Sequence, residues 1–89
     1  MSEGPAVTEE LIGEVTHYFP HVPAAVFKLQ TDLRVGETVH IQGHTTDLVE
    51  TIESMQIDHA DVKTAGPGDD VAVLVTEKVR VGDKVYRVP

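Results

Sequence analysis

From Leu11 onward the chain alternates in twos. Leu11, Gly13, Val15, His17 and Phe19 share one parity, and Ile12, Glu14, Thr16 and Tyr18 share the other. A period of two belongs to a strand, not to a helix with its period of 3.6. Pro20 and Pro23 each lack the amide a ladder requires, so the first strand stops at Phe19 and residues 19–23 form a turn or a protected edge. Ala24–Leu29 supplies a second strand. Thr38–Gln42 supplies a third, with Val39 and Ile41 inward, before Gly43-His44-Thr45-Thr46 turns the chain back. Asp47 opens a fourth.

The fourth strand changes phase. Leu48 and Ile52 share a face, whereas Met55 and Ile57 have the opposite parity, so a bulge near Glu53 and Ser54 is needed to send both pairs to one core. Val62 and Ala65 are spaced to pin a crossing segment, and Gly66-Pro67-Gly68 turns into Asp70–Val75, which is apolar on both parities. Such a strand is expected to be buried from two sides. Should its second face lie uncovered, a dimer would hide it. Arg34-Val35-Gly36-Glu37 and Arg80-Val81-Gly82-Asp83 enter the third and last strands with what reads as one turn used twice: a glycine at positive φ, then an acidic residue. No helix signal exceeds one turn. These elements predict an all-β domain over residues 11–89, a small closed or nearly closed six-stranded antiparallel β-barrel, preceded by a flexible tail over residues 1–10.

Seven basic against fifteen acidic residues give a net charge of −8. That balance opposes general adhesion to DNA, RNA or an anionic membrane surface. No apolar run approaches the roughly 20 residues of a membrane-spanning helix, and a cytoplasmic location is the expectation. A local basic patch survives near the end of the chain in Lys78, Arg80, Lys84 and Arg87, of which Lys78 and Arg80 are the candidate contacts for an RNA or protein partner. The absence of cysteine removes disulfides, thiol nucleophiles and cysteine-ligated metals. His17 with His21 and His40 with His44 have a four-residue spacing that converges on a helix but not across strand ends. No metal site is expected. Ser54, at the expected bulge, has no evident base beside it, and Asp69-Asp70 and Glu9-Glu10 are adjacent carboxylates that do not face one another in a strand. The expectation is a protein that is not an enzyme and needs no cofactor.

Ser54-Met55-Gln56-Ile57, followed by Val62, Ala65, Gly68 and Val71 and framed by Val35-Gly36-Glu37 and Val81-Gly82-Asp83, resembles the second, β-barrel domain of translational GTPases over residues 11–88. Gly13-Glu14-Val15-Thr16-His17-Tyr18-Phe19, His44-Thr45-Thr46-Asp47 and Ser54-Met55-Gln56 resemble small stand-alone elongation-factor-like proteins, and also accessory barrels of collagenase-like peptidase-family enzymes. There is no phosphate-cradling Gly-Lys-Ser/Thr loop, so the chain has no means of GTP hydrolysis of its own. The translation-factor resemblance implies a non-catalytic module that contacts a transfer-RNA 3′ end or ribosomal RNA. It puts Gln56 where those factors carry the acidic residue of the terminal-adenosine pocket, with Met55 and His59 beside it. The alternative is a protein-interaction barrel that docks on a larger enzyme without touching RNA. Either module is expected to be a monomer or a weak homodimer.

Overall fold

The structure, a computed structural model, describes residues 9–89. Ten strands follow one another without a helix: β1 Glu10–Phe19, β2 Ala24–Leu29, β3 Leu33–Arg34, β4 Thr38–Gln42, β5 Asp47–Thr51, β6 Met55–Ile57, β7 Ala60–Val62, β8 Thr64–Ala65, β9 Asp70–Leu74 and β10 Lys84–Val88. Eight of them form a single antiparallel sheet in the order β5-β4-β10-β1-β2-β9-β6-β7, and β3 pairs with β8 in a two-stranded ladder. Of the expected tail, residues 1–8 lie outside the described residues. Glu10 already belongs to β1, opposite Arg87 of β10.

The fold is all-β, but the six-stranded closed barrel is corrected to an eight-stranded open ladder with edges at β5 and β7. The reason lies in residues 52–54. Ile52-Glu53-Ser54 carries no strand pairing, so what the pattern suggested was one bulged strand is two strands, β5 at one edge of the ladder and β6 next to the other edge. Three residues therefore join the β5 edge covalently to the strand beside the β7 edge, and the sheet must curl, yet no ladder hydrogen bonds close it. Residues 55–62 make a hairpin, β6–β7, in which Ile57 faces Ala60, and the expected crossing at Val62 and Ala65 leads from β7 into β8, which pairs with β3 in the second ladder. The hairpin's two-residue loop, Asp58 and His59 at φ 53° and 66°, has the twist of a type I′ turn, which suits a tight hairpin.

The phase change does its expected service. Leu48, Ile52 and Met55 all reach the core, alongside Ile12, Val15, Phe27, Leu29, Leu33, Val39, Ile41, Val71, Val73 and Val85. Strand β1 does not hold a single parity. Irregularities between Leu11 and Gly13 and between Val15 and His17 let both Ile12 and Val15 point inward. Strand β9 departs from expectation in the other direction: Val71, Val73 and Val75 are buried, but Leu74 is 58% exposed, so this strand is covered on one side only.

The turn expected twice occurs three times. At residues 34–37, 66–69 and 80–83 a glycine at φ +101°, +89° and +96° stands third, as a type II turn demands. The acidic fourth residue closes each turn. Its carboxylate accepts the first residue's amide at 2.9, 2.8 and 2.9 Å, while its own amide donates to the first residue's carbonyl. Every copy also grips one buried residue by a reciprocal backbone pair. The glycine amide donates to the carbonyl of Ile52, Leu29 or Val15, and that residue's amide donates to the carbonyl of Glu37, Asp69 or Asp83. Gly36 thereby pins the link between β5 and β6, Gly68 the end of β2, and Gly82 the bulge of β1.

Candidate functional site

Antiparallel register sorts the outer face of β1, β2, β9, β6 and β7 into rows, since directly opposed residues point to the same side. Phe19, Ala24 and Leu74 form the first row; His17, Val26, Ala72, Gln56 and Asp61 the second; Glu14, Lys28 and Asp70 the third. The face is therefore graded from apolar to charged along the strands. Phe19 is 49% exposed, and Val22, in the β1–β2 turn, and Leu74 are each 58% exposed, with Ala24 buried between Phe19 and Leu74. The His17 and Phe19 rings lie parallel with centroids 6.1 Å apart, which extends the strip along β1.

Three shallow grooves meet at Ser54. One of about 150 Å³ runs over the strip between Val22, Ala24, Ala72 and Leu74 to Gln56. A second, about 210 Å³, occupies the seam where β5 approaches the end of β9, between Glu50, Glu53 and Leu74, and there a Glu50 carboxylate oxygen accepts the Thr76 amide. The third, about 140 Å³, lies toward Asp61 and Lys63. All fall below the few hundred Å³ of a small-molecule pocket. A wider shelf of about 440 Å³ sits over the charged row at Glu14, Thr16 and Lys28.

The residues singled out by sequence are scattered in role. Met55 is only 1% exposed and packs in the core between Val62 and Val73, at the floor of the third groove. Gln56 is exposed, and its amide donates to the Asp61 carboxylate at 3.0 Å across the hairpin. His59 is exposed in the hairpin loop, on the same β6–β7 unit. Lys78 and Arg80 are exposed in the connection from β9 to β10 and line none of the three grooves. The other two members of the expected basic patch are paired with acids. Lys84 meets Glu14 at 2.9 Å, and Arg87 donates to both Glu37 oxygens at 3.0 Å and to the Asp32 carbonyl at 2.8 Å, with Glu10 3.3 Å from its Nε. Burial works against the charge on Arg87, but Glu37, then Glu10 and Asp32, outweigh it and raise the guanidinium above its ordinary value. Sequence reasoning missed Phe19, Val22 and Leu74 as a surface. The signal was present in the double-parity apolar run of β9.

His40 of β4 is the centre of the other polar cluster. Its Nδ1 lies 2.8 Å from a Glu9 carboxylate oxygen and its Nε2 bonds Asp47, with the ring tilted against Tyr86. The Asp47 bond first and the Glu9 bond second raise its pKa above the usual imidazole value, despite burial that lowers it. With both ring nitrogens facing carboxylates, His40 has no lone pair directed at His44. Among the described residues, no three histidines or carboxylates converge as a metal site.

No protein-family model matches the chain. It is 43% identical over 76 residues to an uncharacterised protease of Methanocaldococcus jannaschii, covering 84% of this chain and 19% of that protein. It is also 31% identical over 78 residues to a collagenase of Porphyromonas gingivalis, covering 85% of this chain and 22% of that one. The chain thus spans about a fifth of the length of these curated relatives. The C-terminal domain of a Geobacillus thermoleovorans protein described as a U32 peptidase superposes with a TM-score of 0.82 at 20% identity, over 86% of this chain and 98% of that domain. These findings support the peptidase-family side of the sequence resemblance and not the translation-factor side. The chain is related to protease- and collagenase-named proteins and has the fold of a U32 peptidase C-terminal domain.

Proposed function

We propose that this domain is a non-catalytic docking module, one that packs on a larger enzyme body of the peptidase type. The observation that carries the reading is the apolar strip Phe19, Val22 and Leu74, held open to solvent on a sheet whose opposite face is fully packed. Lone exposed apolar residues are ordinary on a protein surface, but adjacent ones in register on one face mark a contact surface. The relatives support the partner class, since in each of them a matching segment makes up about a fifth of a protein named as a protease or collagenase. Their activity does not transfer with the segment. Ser54 lines all three grooves, yet no histidine lines them with it, and a serine without a positioned base is a poor nucleophile.

Affinity capture with the 89-residue chain from nuclease-treated native extract tests the reading. A peptidase-type protein recovered in stoichiometric amount is the expected result. Loss of every partner on nuclease treatment, together with amide shifts at Gln56 on adding a terminal CCA oligonucleotide, would replace docking with RNA contact.

A further inference from the structure

The docking reading points to the apolar strip but leaves open how far the contact extends and what the partner presents there; the inference that follows rests on that reading. We infer that the contact is the strip formed by Phe19, Val22, Ala24 and Leu74, and that it receives a protein segment carrying an apolar anchor flanked by lysine or arginine.

Three observations fix the chemistry of the occupant. The groove over the strip has apolar walls in Val22, Ala24, Ala72 and Leu74, and its volume of about 150 Å³ suits one or two aliphatic side chains. Leu74 and Ser54 are shared with the neighbouring groove at the seam, where Glu50 and Glu53 stand, so carboxylates lie directly beside the apolar anchor point. Asp61 closes the second row on the far side of Gln56. The lysines on this face stand beside acids: Lys28 is opposite both Glu14 and Asp70 in the charged row, Lys84 pairs with Glu14, and Lys63 lies in the third groove with Asp61 and Glu53. A segment with apolar side chains and positive flanks matches both the shape and the sign of this surface.

A second copy of the chain would bring like charge against like charge, since each carries a net −8. A nucleic acid would bring phosphates toward Glu50, Glu53 and Asp61. The grading of the face also sets an orientation. The apolar anchor meets the Phe19–Ala24–Leu74 row, and the polar end of the partner reaches toward Gln56.

Isotope-labelled 89-residue chain is titrated with a ten-residue peptide of alternating leucine and lysine, and with its leucine–glutamate counterpart. The leucine–lysine peptide should shift the amides of Val22, Ser54, Gln56 and Leu74, and the leucine–glutamate peptide should not. Leu74→Ser should weaken binding about tenfold, in line with losing burial of roughly half a leucine side chain. Glu53→Gln should weaken it severalfold at low salt and have little effect at high salt. Val81→Ser, at an exposed valine outside the strip, should leave it unchanged. Equal binding of both peptides, shifts centred elsewhere, or a self-association that Leu74→Ser abolishes would each overturn the assignment. The capture experiment separates the two levels. If a peptidase-type protein is recovered equally by wild type and Leu74→Ser, docking stands and this surface falls. If the peptide binds the strip but no such protein is recovered, the surface stands and the peptidase-type partner falls.

Discussion

Replacing Gly43 by alanine should damage this domain far more than an alanine in a surface turn has any ordinary right to. A Cβ at Gly43 would overlap Asp83 Oδ1 and lie 2.6 Å from its Cγ. Asp83 cannot simply swing aside. It is 6% exposed, and its other carboxylate oxygen accepts the Arg80 amide at 2.9 Å, closing the turn that holds Val15. The methyl therefore either strains the turn or expels the carboxylate. Expulsion forfeits a charge-assisted hydrogen bond of about 1.5–3 kcal/mol, and residual crowding adds about 1–3 kcal/mol. A loss of roughly 3–5 kcal/mol compares with a total stability of roughly 4–13 kcal/mol for a domain of this length. Urea unfolding should show a midpoint lowered by about 3–5 M, for a slope near 1 kcal/mol/M. Asp83→Ala alone should cost about 1.5–3 kcal/mol, because the Arg80 amide loses its acceptor. The double variant Gly43→Ala/Asp83→Ala should cost no more than Asp83→Ala, since the methyl then has nothing to strike. Fully additive losses, or a Gly43→Ala variant within about 0.5 kcal/mol of wild type, would refute the reasoning.

Three further outcomes follow from the packing and the ion pairs. Because His40 has its pKa raised in the folded state, by Asp47 first and Glu9 second, its stabilising share is full below the unfolded value of about 6.5 and is lost as pH climbs through the raised folded value; urea midpoints between pH 5 and 9 should therefore fall more steeply with pH for wild type than for His40→Gln. Arg87→Met should cost about 2–3 kcal/mol by leaving Glu10, Asp32 and Glu37 together without their shared cation, and Arg87→Lys should recover only part of that, because one ammonium cannot hold Glu37, the Asp32 carbonyl and Glu10 at once as Nη1, Nη2 and Nε do; thermal melts of both variants check the order. Met55→Ala should cost about 2–5 kcal/mol as a core deletion, whereas Leu74→Ser should stay within about 0.5 kcal/mol, a contrast that denaturation curves resolve and that separates the core of the sheet from its contact face.

Much of the architecture was legible because a strand's period of two is a strong signal wherever one face is buried. Val39 and Ile41 inward, the stop at Pro20 and the phase switch between Ile52 and Met55 all hold. Closure was not legible. Whether residues 52–54 bulge within one strand or leave the ladder depends on what lies across from them, and those partners, Gly36 and Glu37, are remote in sequence. The third copy of the acid-closed turn escaped notice because Gly66-Pro67-Gly68-Asp69 shares only the glycine and the acid with the other two, and those are the positions the geometry uses. Met55 was read two ways: its parity assigned it to the core, where it lies, while the resemblance to translation factors drew attention to the motif around it. The contact strip lay between the two cases. The apolar run of β9 announced a second hydrophobic face, but only the register brought Phe19 and Leu74 to either side of Ala24.

Because Glu10 and Arg87 are direct partners across β1 and β10, a short linker from residue 89 back to residue 9 could make the polypeptide a ring. New ends could then be cut between Glu53 and Ser54, where no strand pairing crosses the bond. Such a permuted chain would keep every ladder intact and lose only the covalent tie that draws the two margins of the sheet together. Its folding would reveal whether the curl is imposed by that tether or is already written into the twist of the strands.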